Sequence, residues 1–75
     1  MTSVYKIIEV VGTSDISWEE AVKKAVETAA ESLEDLRIAE VTKLDAVITN
    51  GKVTAFRARV NMSFKYHGEK RSDAI

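Results

Sequence analysis

The sequence predicts an α+β domain with the order β-α-β-β, in which a three-stranded antiparallel sheet, in the strand order 1-3-2, wraps around one helix. Three observations lead to this prediction: a β-branched segment near the start, a capped amphipathic segment after it, and a long alternating segment divided by an Asn-Gly pair. A right-handed crossover makes the first two strands parallel, and the third strand fits between them. We expect residues 1–66 to form this single domain and residues 67–75 a polar C-terminal tail.

The first strand is predicted over Val4–Val11, because VYKIIEVV is rich in β-branched residues. Gly12 opens a turn-like segment that runs to Asp15. The segment has neither of the glycine patterns that hold nucleotide phosphates, G-x-x-x-x-G-K-[ST] and G-x-G-x-x-G. We therefore expect residues 12–14 to connect the strand to the helix.

A capping box marks the start of the helix. In the sequence SWEE, the Ser17 hydroxyl can accept from the backbone N–H of Glu20, and the Glu20 side chain can reach back to the cap. The helix is therefore predicted to begin at Trp18. Small and branched side chains at helical spacing form its apolar stripe, and they are Ala21, Val22, Ala25, Val26, Ala29 and Leu33. Because the stripe is rich in alanine, a sheet can approach it closely.

A hairpin is predicted after the helix. The segment Ile38–Ile48 is strand-like, and Asn50-Gly51 suits the two positive φ angles of a type I′ turn. The second arm alternates through Tyr66, so that one set of residues should cover the helix: Thr54, Phe56, Ala58, Val60, Met62, Phe64 and Tyr66.

The turn also predicts a register for the hairpin. A two-residue loop places Thr49 opposite Lys52, and the expected pairs further along are Leu44 with Arg57, Thr42 with Arg59, and Glu40 with Asn61, unless a bulge intervenes. Glu40 would then lie diagonal to Arg59 on the face away from the helix.

The composition excludes several classes of protein. The 75 residues include no cysteine, so there is no disulfide framework, thiol nucleophile or cysteine-ligated metal, and one histidine excludes a two-histidine metal site within one chain. Eleven basic and twelve acidic residues give a net charge of −1, which argues against nucleic acid or membranes as partners. No apolar run approaches the ~18 residues of a membrane span. A cytoplasmic location is the expectation, and the small size favours self-association.

Two charged groups are candidate ligand sites. Glu27, Glu31 and Glu34, with Asp35, are predicted to lie along one helical face and could hold calcium or magnesium around a symmetry axis. A solvated face with salt bridges is the favoured alternative, because no D-x-D-x-D-G loop gathers these carboxylates. Glu34 and Asp35 are predicted to lie at the C-terminal end of the helix dipole, where carboxylates are disfavoured, so we expect them to have a cationic partner, Arg37 or another chain.

The second group, formed by Arg57, Arg59 and Lys65, could bind a phosphate, although ion pairing between subunits is favoured. His67 is interpreted as an exposed tail residue. No set of nucleophile, base and orienting residue can be assembled, so we do not expect an enzyme.

The sequence resembles the dodecin family over residues 3–66. The resemblance rests on the opening VYKIIEVVGTS, the capped alanine-rich helix, Ala39-Glu40-Val41 in the second strand, and Ser63-Phe64-Lys65 in the third. It implies a small β-α-β-β subunit that assembles into a hollow homododecamer, and many such proteins store flavins between subunits without turnover.

The resemblance also identifies four positions of the flavin pocket. The stacking tryptophan of flavin-binding dodecins corresponds to Ile38, a glutamine that meets the flavin edge corresponds to Arg57, a position basic in several relatives corresponds to Asp45, and a basic position survives as Lys65. Guanidinium only donates hydrogen bonds, so Arg57 cannot accept one from the flavin ring. The pattern resembles a second dodecin branch, which lacks the stacking tryptophan and is associated with calcium.

The sequence thus predicts a non-enzymatic homododecamer that binds or stores a small ligand or cation between subunits. Binding of FMN or riboflavin is expected to be weakened or lost, and calcium or another divalent cation is the other candidate ligand. A flavin storage protein, or a structural module without a ligand, stays open as the alternative.

Overall fold

The computed structural model describes residues 3–66, which form one sheet and one helix. The elements are β1 (Tyr5–Ser14), α1 (Trp18–Ala30), β2 (Leu36–Thr49) and β3 (Lys52–Lys65). The strand order is β1-β3-β2, and β3 is antiparallel to both neighbours. This arrangement confirms the predicted fold class. The predicted tail, including His67, lies outside the described residues.

Strand β1 extends three residues further than the sequence predicted. Gly12, Thr13 and Ser14 continue the strand and pair with Ala58, Arg57 and Phe56 on β3, so the prediction of a turn at residues 12–14 is wrong. The reason is that Gly12 is buried directly beneath the helix, where an added Cβ would overlap the carbonyl oxygen of Ala21. Glycine is needed here for close packing of helix on strand, and it does not end the strand.

The helix begins as predicted and ends earlier. The Ser17 side chain accepts from the backbone N–H of Glu20 at 3.0 Å, which confirms the serine half of the predicted capping box. The N–H of Ser17 donates to Ser14 Oγ at 3.4 Å, and not to the Glu20 side chain as predicted. Helix α1 ends at Ala30 with Glu31 as its C-cap, so Glu34 and Asp35 lie in the connection to β2 and are not on a helical face. Asp35 adopts a positive φ of 60° in this connection, directly before the first residue of β2. No helix within residues 3–66 is long and apolar enough to cross a membrane.

The hairpin contains register shifts that the sequence did not predict. Thr49 faces Lys52 and Glu40 faces Asn61, as expected. Between these pairs, Thr54 is an extra residue on β3 and Thr42 an extra residue on β2, so the intervening stretch is shifted by one residue. We call Thr54 and Thr42 the two bulge threonines. A third irregularity lies at Arg37.

Because of this shift, two predicted pairs are wrong. Arg57 faces Asp45 and not Leu44, while Arg59 faces Lys43 and not Thr42. The hydroxyls of the bulge threonines bond across the hairpin at the two breaks: Thr42 donates to the carbonyl of Arg59 at 3.2 Å, and Thr54 donates to that of Val47 at 3.4 Å. Each side chain therefore holds the backbone at the point where the register changes.

The core lies between α1 and the centre of the sheet. Five hydrophobic residues in the described part of the chain are buried, and they are Ala21, Ala25, Ala58, Val60 and Met62. Ala58, Val60 and Met62 confirm the centre of the predicted covering face of β3, whereas Thr54 and Tyr66, which were predicted to belong to it, are exposed. Since three of the five are alanines, the buried apolar volume is small for a domain of this length.

Candidate functional site

The side of the sheet opposite the helix carries most of the charged residues of the strands. We call it the open face. Residues adjacent to the buried Ala58 and Val60 on β3 point to it, and their cross-strand partners lie on the same side. It carries Arg57 and Arg59 on β3, with Lys43 and Asp45 opposite them on β2.

Asp45 and Arg57 form the best-defined polar contact on the open face. The Arg57 Nε and Nη2 atoms donate to Asp45 Oδ1 and Oδ2, each at 2.8 Å. This parallel arrangement is the bidentate geometry that a guanidinium makes with a carboxylate. Both side chains are about half exposed, 44% for Arg57 and 50% for Asp45. The pair is therefore an accessible site feature and not part of the core.

The pair also determines the local ionisation. The hydrogen bonds from Arg57 hold the pKa of the Asp45 carboxyl below its usual value of 3.8, and the charges of Arg57 and Arg59 act in the same direction. The same contact raises the pKa of Arg57. Both groups are charged at neutral pH, so the pair is electrically neutral overall.

Arg59 has a weaker partner on the other side. Its Nε atom lies 4.0 Å from Glu9 Oε2, across the β1–β3 boundary. The sequence predicted Glu40 as the nearby carboxylate, but the ion pair of Arg59 within residues 3–66 is with Glu9, and Glu40 lies opposite Asn61. Asp35 lies 3.6 Å from Arg37, which confirms the predicted cationic partner of Asp35.

Trp18 lies behind Asp45, on the helix side of the sheet. Its indole Nε1 donates to the backbone carbonyl of Asp45 at 2.9 Å, and its ring packs edge-on against Phe56 with centroids 4.9 Å apart. The start of the helix is thereby tied to β2 at the position of the ion pair. Spacing in the sequence gave no signal for this contact, because the two residues are 27 positions apart.

The structure brings together only two of the four predicted pocket residues in one chain. Ile38 pairs with Ser63 and Lys65 pairs with Tyr5, so both lie toward the other end of the sheet. Ser63 lies six positions beyond Arg57 on β3, which corresponds to about 20 Å along a strand. A pocket containing all four positions would have to include residues of more than one chain.

Ile38 contributes to a small apolar cavity at that end. The cavity holds about 150 Å³ between the helix and the edge of β2, and it is lined by Val26, Leu36, Arg37, Ile38, Ala39 and Met62. Ile38 itself is 63% exposed.

The predicted metal ligands are not gathered within one chain. Glu27 and Glu31 are exposed near the end of α1, and Glu34 follows in the connection. Within residues 3–66, no group of three or more Asp, Glu or His residues is close enough to hold a metal ion. The cation site from sequence stays a prediction, and it requires carboxylates from several chains.

The fold defines a class of small α+β subunits in which one helix lies against a three-stranded antiparallel sheet of order 1-3-2. The chain belongs to the dodecin family, since the Dodecin family model matches residues 4–67. A curated relative, calcium dodecin from Mycobacterium tuberculosis, is 47% identical over 64 residues, covering 84% of this chain and 89% of the relative.

Solved structures agree with this assignment. The calcium-chelating antigen calcium dodecin from Mycobacterium tuberculosis has a TM-score of 0.77 at 41% identity, covering 87% of this chain and 93% of its own. The dodecin from Streptomyces coelicolor has a TM-score of 0.82 at 32% identity, covering 87% and 93%. The first of these structures is described as having a novel calcium-binding site.

Proposed function

We propose that this chain is a non-enzymatic, cytoplasmic dodecin that assembles into a hollow homododecamer and holds a cation, with calcium the leading ligand, at sites between subunits. Flavin binding is weakened or lost in this proposal. The observation that carries the proposal is the bidentate Asp45–Arg57 pair. These residues stand at two positions of the family's flavin pocket, and their side chains are bound to each other. The similarity to proteins named calcium dodecin supports the choice of cation.

Self-association is supported by the small core. Thirteen large hydrophobic side chains among residues 3–66 are exposed, among them Ile7, Ile38, Leu44, Ile48 and Val53 at more than half of their surface. Within the same residues of one chain, five hydrophobic residues are buried. Burial of this exposed apolar surface against further copies is the ordinary way to stabilise so small a domain.

The cation reading is supported by how the arginines of the open face are occupied. The Nε and Nη2 atoms of Arg57 donate to Asp45, and Arg59 lies close to Glu9. An anionic cofactor would have to displace the Asp45 carboxylate to use this bidentate pair of donors. The Glu27, Glu31 and Glu34 carboxylates are the proposed oxygen ligands, contributed by several chains around a symmetry axis.

Two measurements test this proposal. Light scattering on purified protein should give the mass of twelve chains, and a monomer at micromolar concentration contradicts the assembly. Calcium should raise the melting temperature in a concentration-dependent way, as for any ligand that binds only the folded state. An unchanged melting temperature at millimolar calcium, with no stoichiometric metal by elemental analysis, contradicts the cation site.

Flavin titration separates the proposal from flavin storage. Loss of an aromatic stacking partner costs about 1–3 kcal/mol per ring, roughly a 5- to 150-fold loss of affinity. We therefore expect weak binding of riboflavin and FMN, and a gain for the double variant Ile38→Trp with Arg57→Gln. Submicromolar binding with strong quenching by the unmodified protein would favour flavin storage.

A further inference from the structure

The centre of the open face carries three cations close together. Lys43 lies directly opposite Arg59, and Arg57 is the next residue of β3 on the same side. We call Lys43, Arg57 and Arg59 the cationic cluster. Like charges directly opposite each other on neighbouring strands are unfavourable. A cluster of this kind therefore attracts negative charge from its surroundings.

Within residues 3–66, two carboxylates reach this cluster, and they do so unequally. Asp45 meets Arg57 with two hydrogen bonds of 2.8 Å, whereas Glu9 approaches Arg59 only to 4.0 Å. Lys43 forms no ion pair with any carboxylate of the described residues. Asp45 therefore occupies the two parallel donors of the cluster, Nε and Nη2 of Arg57.

The fork that Asp45 occupies is the one a phosphate oxyanion would use. A guanidinium recognises carboxylate and phosphate with the same pair of parallel N–H donors. Asp45 is held in place by its own strand and by the Trp18 hydrogen bond to its carbonyl, so it competes from within the same chain. A free anion must displace Asp45 to use the Nε and Nη2 donors of Arg57 together.

We propose that Asp45 determines the charge class of ligand that the open face accepts, because it masks an anion site formed by Arg57, Arg59 and Lys43. Removing the Asp45 carboxylate opens that site to inorganic phosphate. The inference deepens the proposed function, since it names the residue that turns the family's site away from anions. The masking needs only one chain, because all four residues belong to it. Its biological meaning rests on the proposed function.

The two bulge threonines position the masking residue. Without the register shift between Thr42 and Thr54, Leu44 would face Arg57 and the carboxylate would lie one position away. An aliphatic residue in that place would leave the guanidinium free. The mask therefore depends on the bulges as well as on the identity of residue 45.

The test compares phosphate binding by Asp45→Asn with that of the unmodified protein. Titration of inorganic phosphate, followed by its ³¹P resonance at low and constant ionic strength, should show roughly tenfold tighter binding by the variant, as expected when charge-assisted donors are released at an exposed site. The neutral amide preserves the size of the side chain and leaves the backbone bond from Trp18 in place. An exposed ion pair contributes little to stability, so the variant should remain folded.

Two further variants make the result specific. Glu9→Gln removes the same charge from the same face but leaves the Asp45–Arg57 pair intact, and it should gain much less. Asp45→Asn combined with Arg57→Gln should lose the gain. No gain for Asp45→Asn, or an equal gain for Glu9→Gln, overturns the proposal. The outcome is independent of calcium binding and of assembly mass, so a failure here is distinguishable from a failure of the proposed function.

Discussion

Substitution of Gly12 by alanine tests whether close contact between α1 and β1 holds the domain together. A Cβ added at Gly12 would overlap the carbonyl oxygen of Ala21 and would lie 2.9 Å from the Cβ of Ala25. Ordinary van der Waals contact begins at 3.4 Å, so the contact with Ala25 alone requires a shift of about 0.5 Å. The overlapping atom belongs to the helix backbone, and the whole helix must therefore move outward.

The expected loss of stability has two sources, overpacking at Gly12 and the loss of core contacts as the helix moves. Overpacking of a close-packed core typically costs about 1–3 kcal/mol, and a rigid backbone obstacle places this site at about 3 kcal/mol or above. Outward movement also separates Ala21 and Ala25 from Ala58 and Val60, which are most of the buried core. Since small domains have about 5–15 kcal/mol of stability, the variant should lose a large part of it.

Urea unfolding followed by Trp18 fluorescence is the appropriate assay, with the oligomeric state measured in parallel. Gly51→Ala is the matched control, because nothing lies within 4 Å of the added Cβ. The only cost is that alanine must adopt the positive φ of 76°, which is strained for a residue with a Cβ. It should cost about 1 kcal/mol. A Gly12→Ala variant within about 0.5 kcal/mol of the unmodified protein would refute the packing argument.

Three more predictions follow from single contacts. Ser17→Ala removes the acceptor for the Glu20 N–H and should destabilise the protein by about 1 kcal/mol in urea unfolding, with Ser17→Gly less affected. Met62→Ala, at a fully buried position, should cost about 2–5 kcal/mol in the same assay, and a smaller loss would mean that the core collapses into the cavity. Because the pKa of Asp45 is lowered in the folded state, its pair with Arg57 adds stability above pH 3.8 and loses it as the pH falls through the folded pKa. The stability difference between the unmodified protein and Asp45→Asn should therefore be constant near neutral pH and shrink below pH 3.8; an unchanged difference there contradicts the pair.

The fold was predictable because each element has a local signal. The capping box gave the start of α1, the alternation of β3 gave its buried face, and the Asn-Gly pair gave the hairpin. Gly12 was misread because a glycine that permits close packing and a glycine that ends a strand are identical in sequence. The helix end was misplaced because no glycine marks it: Glu31 is the C-cap in a right-handed helical conformation, and nothing in the local sequence signals the stop.

The site was less predictable because it depends on a bulge. The sequence identified Asp45 and Arg57 separately, through the dodecin resemblance, but paired Arg57 with Leu44. A bulge changes the pairing of every residue beyond it, and Thr54 carries no pattern that distinguishes it from a regular strand residue. The contact of Trp18 with Asp45 forms only when the helix packs on the sheet, so no local sequence pattern predicts it.

The opposing bulges make the length of one hairpin arm depend on the length of the other. One extra residue on β3 is cancelled by one extra residue on β2, so the pairs on both sides of the shifted stretch keep the turn-defined register. Loss of one residue from a single arm would move the side chains between that residue and the next bulge to the opposite face of the sheet. An alignment that opens a gap in only one strand would assign residues 43–47 to the wrong partners.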